Sequence, residues 1–168
     1  MVVVGIDPGY AIVGYGVINY NANRFKVLEY GAITTKAGEK FSSRLVKIYN
    51  DMVEIIKRTK PDAISIEKLY FNTNTTTAID VAQARGVILL AAAAYSIPIF
   101  EYTPLQVKSS VTGYGKAEKK QVMDMVKNIL HLEKIPKPDD TADALAIAVC
   151  HAHSSGSLYG KLNSGGSV

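Results

Sequence analysis

Cysteine occurs once in these 168 residues, at Cys150, so no intramolecular disulfide can brace the fold and buried apolar surface must do that work. A long apolar run is missing from the N-terminus: Val2, Val3 and Val4 lead so quickly to Asp7 that neither a signal peptide nor a membrane segment fits there, and a cytoplasmic chain is expected. The histidines His131, His151 and His153 have no paired acidic or cysteine spacing around them, which leaves them as structural or surface residues. No internal repeat is visible. Neither sign of charge dominates: 19 Lys and Arg against 15 Asp and Glu leave +4, compatible with a polyanionic partner but common elsewhere. What is present is 48% hydrophobic residues, enough for one compact domain. That domain is expected over residues 1–153, with the Ser- and Gly-rich stretch 154–168 as a disordered tail.

The pattern along the chain predicts an α/β fold. Val2 to Ile6 is a β-branched run stopped by Asp7, Pro8 and Gly9, as a buried central strand would be. Gly14 to Tyr20 and Phe25 to Thr34 alternate and flank a polar turn, so the first three elements form an antiparallel meander. From Ser42 or Ser43, read as an N-cap, Leu45, Ile48, Tyr49, Met52, Ile55 and Ile56 make one helical stripe that ends before Pro61. Ala63 to Ile66 is a short strand ending in Glu67. An Asn- and Thr-rich loop then leads into an Ala-rich helix reaching about Tyr95, and Pro98 to Tyr102 is the last strand. Three helices follow: a short one after Pro104, an amphipathic one from Ala117 to Leu130, and one opened by Pro138 and Asp139. These elements imply a mixed five-stranded sheet, three antiparallel strands and then parallel ones, with helices on both faces.

Several acids are out of place in this pattern. Asp7 and Glu67 each end an apolar strand, and if those strands are parallel neighbours both carboxylates emerge at one edge of a buried sheet. Asp140 and Asp143 are three residues apart, on one side of a helix whose continuation is apolar nearly all round and must pack on that sheet. Carboxylates gathered without basic neighbours in the local sequence repel one another, and hard divalent cations, magnesium or manganese, are the usual compensation. Two metals about 4 Å apart can activate a water on one side of a phosphodiester and neutralise the leaving oxygen on the other. The plainer roles are first-turn capping for Asp139 and a strand-end turn for Asp7. A surface pair of Glu67 with Lys68 is disfavoured because adjacent strand residues face opposite ways.

The segments Gly5-Ile6-Asp7-Pro8-Gly9, Ile66-Glu67 with an aromatic shortly after, Gln83-Ala84-Arg85-Gly86 and Asp140-Thr141-Ala142-Asp143-Ala144-Leu145-Ala146 resemble, in order and spacing, the motifs of the RuvC family of Holliday-junction resolvases. The resemblance runs from Met1 to about His153. It implies a ribonuclease H-like fold and a crossover junction endodeoxyribonuclease that nicks four-way DNA junctions symmetrically, in recombination and repair, using two Mg²⁺ per site with Mn²⁺ able to substitute. It further implies that Asp7, Glu67, Asp140 and Asp143 are the catalytic acids. Asp7 would bridge the metals, Glu67 would hold the one nearer the leaving group, and Asp143 with Asp140 would hold the other. The family's basic residues match Lys108 and Lys119, and Lys120 beside the latter is counted as a DNA contact. Lys119 opens a helix, where its ammonium can stabilise developing charge.

The family's base-stacking aromatic falls at Tyr70, where Phe is usual, with Phe71 next; one of the two is expected to stack on an unpaired base and the other to anchor the loop. The family is dimeric, and the helix Thr77 to Tyr95, whose segment Val87 to Ala94 is apolar on every side, is the expected two-fold interface, with Ala91 and Ala92 as candidate contacts. A helicase complex, RuvA and RuvB, is an implied partner. Two other functions compete. The first turn is also similar to the phosphate loop of actin-like ATPases and sugar kinases, but those folds carry a second copy of the domain, and this sequence shows one copy and no second Gly-rich loop. A non-catalytic junction-binding protein would not need all four acids.

Overall fold

The computed structural model describes residues 1–69 and 75–156. Three antiparallel strands, β1 (Val2–Asp7), β2 (Ile12–Asn21) and β3 (Arg24–Thr34), are followed by helix α1 (Phe41–Thr59) and strand β4 (Ala63–Glu67). Helix α2 (Thr75–Ala94), strand β5 (Ile99–Tyr102) and helices α3 (Pro104–Thr112), α4 (Lys119–Ile129) and α5 (Asp139–Gly156) complete the order. The sheet runs β3-β2-β1-β4-β5, with β4 parallel to both β1 and β5. This is the mixed five-stranded sheet expected. The β2–β3 turn carries positive φ at Ala22 and Asn23, the twist a tight hairpin needs.

Strand β1 is paired on both edges and covered on both faces, which is why Val3, Val4 and Ile6 can all be fully buried. Period-two alternation then divides its side chains. Val4 and Ile6 join Ile64 and Ile66 of β4 in the core beneath α1 and α2. The other face receives α5, and the alternation sends Asp7 and Glu67 to that side.

Helix α5 lies between the sheet and the pair α3, α4, whose Val107, Val111, Val122 and Val126 cover its outer side. A helix enclosed on both sides has no polar face to show, which explains its apolar run. Glycines let it sit low. A Cβ on Gly5 would stand 2.0 Å from the Ala144 carbonyl oxygen, and one on Gly14 2.0 Å from that of Asp140, so no side chain fits at either position. The buried Ser65 hydroxyl tethers the helix from below, donating to the Ile147 carbonyl at 3.3 Å.

Three expectations need correction. Helix α1 starts at Phe41 with Lys40 as its flanking residue and no side-chain cap, so Ser42 and Ser43 lie inside the first turn; Phe41 packs on the Tyr10 ring, 6.2 Å between centroids, and draws the turn back. The helix continues to Gly156, past the predicted boundary at 153, and there the Ser154 and Ser155 hydroxyls donate back to the carbonyls of Cys150 and Ala152; residues 157–168 lie outside the described residues. Ala91 and Ala92 are fully buried with Ala84 and Ile88 beside α1, so they face the core. Ile79, Gln83, Gly86, Leu90 and Ala93 are the outward ones. By length and composition Thr77–Ala94 is apolar enough to cross a membrane, yet here its inner face is part of the domain core.

Candidate active site

The ends of β1 and β4 and the first turns of α5 meet at one end of the sheet. Register makes the meeting unavoidable, since Ile6 pairs with Ile66 and the next residues are Asp7 and Glu67. Gly14 pairs with Asp7 and supports the Asp140 backbone. The Asp7 carboxyl is pushed up to about 7, first by burial and then by the charges of Glu67, Asp143 and Asp140, with Lys119 opposing. Glu67 is raised by burial and by Asp143, against the pull of Lys108 and Lys119. All four predicted acids therefore share one electrostatic neighbourhood.

Lys119 is the cation that this neighbourhood holds. Its Nζ stands 2.9 Å from an Asp143 carboxylate oxygen and 3.8 Å from one of Asp139. Burial pulls its ammonium down, but the hydrogen bond to Asp143 and the charges of Asp143, Asp139 and Asp140 outweigh that and leave it above the ordinary lysine range. Its place is set by the start of α4, where Glu118 and Gln121 form a reciprocal capping box. Lys108, on α3, lies close enough to Glu67 to oppose its rise, and Lys120 is exposed on the first turn of α4. Tyr70 and Phe71 lie outside the described residues. Asp139 fills a first-turn role, paired with Lys137 at 2.5 Å, which holds its carboxyl below the usual range.

Among the described residues no three acid, His or Cys side chains already form a coordination shell. The donors are hard carboxylate oxygens, and the raised Asp7 carboxyl marks negative charge that Lys119 alone does not balance. This set fits a hard divalent cation and does not fit a soft one. Two other features were not readable from sequence. One is the resting pair of Lys119 with Asp143, for which no local spacing gives a signal. The other is Arg85, which donates from α2 to the Glu101 carboxylate on β5 and to the Glu67 backbone carbonyl. Its cues were its place in the Gln83-Ala84-Arg85-Gly86 motif and its position just before the apolar half of the helix, neither of which names its partners. His151 is structural as expected: its Nδ1 is 2.8 Å from the Tyr102 hydroxyl, and burial depresses it to about 4, so it stays neutral.

The sheet order, the helices on both faces and the acids at the ends of β1, β4 and the start of α5 define a ribonuclease H-like nuclease. The family described as crossover junction endodeoxyribonuclease RuvC matches residues 3–151. A crossover junction endodeoxyribonuclease RuvC from Ruminiclostridium cellulolyticum is 60% identical over 162 residues, which is 95% of this chain and 98% of that one. The structure of Thermus thermophilus RuvC in complex with a Holliday junction substrate superposes with a TM-score of 0.88 at 36% identity, over 92% of this chain and 94% of that one. The yeast mitochondrial resolvase Ydc2, 15% identical, covers 90% of this chain and 77% of that one with a TM-score of 0.67 and shares the fold. The chain belongs to the RuvC family of crossover junction endodeoxyribonucleases.

Proposed function

We propose that this chain binds four-way DNA junctions and resolves them by paired symmetric nicks, with Mg²⁺ as its cation and Mn²⁺ able to substitute. The observation that carries the reading is the convergence of four carboxylates from β1, β4 and α5 around an Asp7 carboxyl raised to about 7. Asp7, Glu67, Asp140 and Asp143 are the residues that would hold the ions. When bound, two such ions activate a water and neutralise the leaving oxygen of a phosphodiester. The chain's own part is to keep Asp7 between its neighbours and to release its proton near neutral pH. Lys119 compensates Asp143 at rest; once that carboxylate is engaged, its ammonium can turn to a phosphate oxygen. Lys108 and Lys120 add cationic contacts for the DNA backbone. Purified protein incubated with a synthetic four-way junction, with and without magnesium, tests the reading. Paired nicks only with the metal are expected. A shifted band without nicks would leave a binding protein, and no interaction would remove the junction as substrate.

Tyr70 is the proposed stacking aromatic. Tyr70→Ala should slow resolution markedly, since base stacking is worth about 1 to 3 kcal/mol, and Tyr70→Phe should be nearly neutral because the ring and not the hydroxyl stacks. If Phe71→Ala alone is defective in the same assay, the stacking residue is Phe71.

Two symmetric cuts need two sites held rigidly, and a homodimer supplies them. The outward stripe of α2 is the surface we assign to it: Ile79 and Leu90 are 65% and 60% exposed, and a Cβ on Gly86 would meet nothing within 4 Å in this chain. Leu90→Glu should give folded monomers that have lost paired nicking, because an unpaired carboxylate is costly in an apolar interface. Light scattering and circular dichroism check this, and a variant that stays dimeric would place the interface elsewhere. Cytoplasmic location, and delivery by a RuvA and RuvB helicase complex in recombination and repair, complete the proposal.

A further inference from the structure

Arg85 belongs to a motif for which the acid chemistry has no use. It is one of two charged residues in α2, the other being Asp80, and its side chain is only 15% exposed. Its Nη2 donates to the Glu101 carboxylate, and its Nε donates to the Glu67 carbonyl at 3.4 Å. Glu101 lies between Phe100 and Tyr102, whose rings both meet His151 of α5, so alternation turns Glu101 toward α2. The guanidinium therefore joins α2, β4 and β5 from the face opposite the acids. It does so where the ladder ends: the Lys68 N–H donates to the Tyr102 carbonyl at 2.8 Å, just past Glu67.

Asp143 and Asp7 both push against the half-buried Glu67 carboxylate, with Lys108 and Lys119 only partly opposing them. A strand end under that repulsion needs an anchor on its backbone. A planar guanidinium, with several fixed donors, can hold a carboxylate and a carbonyl together; a lysine ammonium is a single flexible point charge. We propose that Arg85 is a positioning residue for Glu67, clamping the end of β4 to β5 and α2 so that the Glu67 carboxylate stays in place for a divalent cation. Arg85 lies on the face of the sheet opposite the acids, so its part is support and not contact. It acts as the outer support of a ligand, the kind of residue whose loss typically lowers metal affinity about 10- to 100-fold.

This inference rests on the proposed metal-dependent nuclease, and its test is arranged so that the two can fail separately. Arg85→Gln, Arg85→Lys and Glu101→Gln are compared with wild type by calorimetric titration of Mg²⁺ into DNA-free protein, by the Mg²⁺ concentration at half-maximal nicking, and by junction affinity in EDTA. For Arg85→Gln a fall in metal affinity of about tenfold or more is expected. Junction affinity in EDTA should be unchanged within about twofold, since no phosphate-contacting cation is lost. High Mg²⁺ should restore nicking. Arg85→Lys and Glu101→Gln each keep one of the two anchors and should shift in the same direction by less. Wild-type metal affinity in the folded variants would overturn the clamp, and so would metal and junction affinity falling together with the circular dichroism signal. If Arg85→Gln does not fold, the other two carry the same comparison. A wild-type protein that never nicks junctions would defeat the nuclease reading, while the metal titrations would still decide the clamp.

Discussion

Asp7→Asn should lower junction nicking on the order of a thousandfold or more while making the metal-free protein more heat-stable. The first effect follows from removing the central carboxylate, since charge stabilisation by bound cations is worth several kcal/mol in the transition state. Junction binding should survive, because no cation that meets phosphate is lost. The second effect follows from the Asp7 carboxyl standing at about 7 in the fold against an ordinary 3.8. The folded state holds this proton more tightly than the unfolded chain does. Below about pH 4 both states are protonated and nothing is lost. Between there and pH 7 the folded state is progressively penalised, and above pH 7 the penalty is complete, at most on the order of 4 kcal/mol. Asn carries no such penalty. Calorimetric scans in EDTA should therefore show the variant melting above wild type by a margin that widens from pH 4 to pH 8. Added Mg²⁺ should raise the wild-type melting temperature and leave the variant's almost unmoved. A variant that nicks at the wild-type rate, or melts below wild type at pH 8 in EDTA, would contradict the site. By the same proton linkage, nicking at limiting Mg²⁺ should rise with pH through about 7, and more Mg²⁺ should move that rise to lower pH.

Gly14→Ala should be damaging out of proportion to one methyl group. The new Cβ would stand 2.0 Å from the Asp140 carbonyl oxygen and 2.3 Å from its carbonyl carbon, both backbone atoms that no rotamer change can move. Overpacking of this kind costs typically about 1 to 3 kcal/mol, and a contact this short belongs at the upper end or beyond. Relief requires α5 to lift from the sheet at the turn that carries Asp140 and Asp143. A displacement of about 1 Å at a reacting group costs on the order of a hundredfold in rate. Urea unfolding and nicking assays should both register the change, although no acid has been removed. Gly86→Ala is the contrast: it has open space around it within the chain and should stabilise the helix by up to about 1 kcal/mol. Wild-type stability and rate in Gly14→Ala would mean that α5 is not seated as closely as its carbonyl contacts imply.

The fold was largely legible because its cues are local. A β-branched run closed by Asp7-Pro8-Gly9 and the alternation in β2 and β3 are written into consecutive residues, as is the three-residue spacing of Asp140 and Asp143. Asp7 and Glu67 stood out because a carboxylate at the end of an apolar strand has few reasons to be there, and Asp140 and Asp143 because they head an apolar helix. What escaped depends on how separate segments meet. The second half of α2 is apolar all round, so no periodicity distinguished the buried Ala91 and Ala92 from the exposed Gly86 and Leu90. Gly14 and Gly16 read as ordinary strand residues until α5 is laid across them. The partners of Arg85 lie 16 and 18 residues away in the chain, a distance at which no spacing rule applies.

The last helix also sets a time. Asp7 is made well before α5, and the surface that α5 covers stays bare until residues 139–156 have left the ribosome. A partly made chain can pair β1 with β2 and β3, and later with β4, yet it carries only Asp7 and Glu67 of the acid set. Premature termination or proteolysis before α5 therefore yields fragments that lack Asp140 and Asp143, and that expose Val3, Ile18 and the glycine floor to chaperones and proteases.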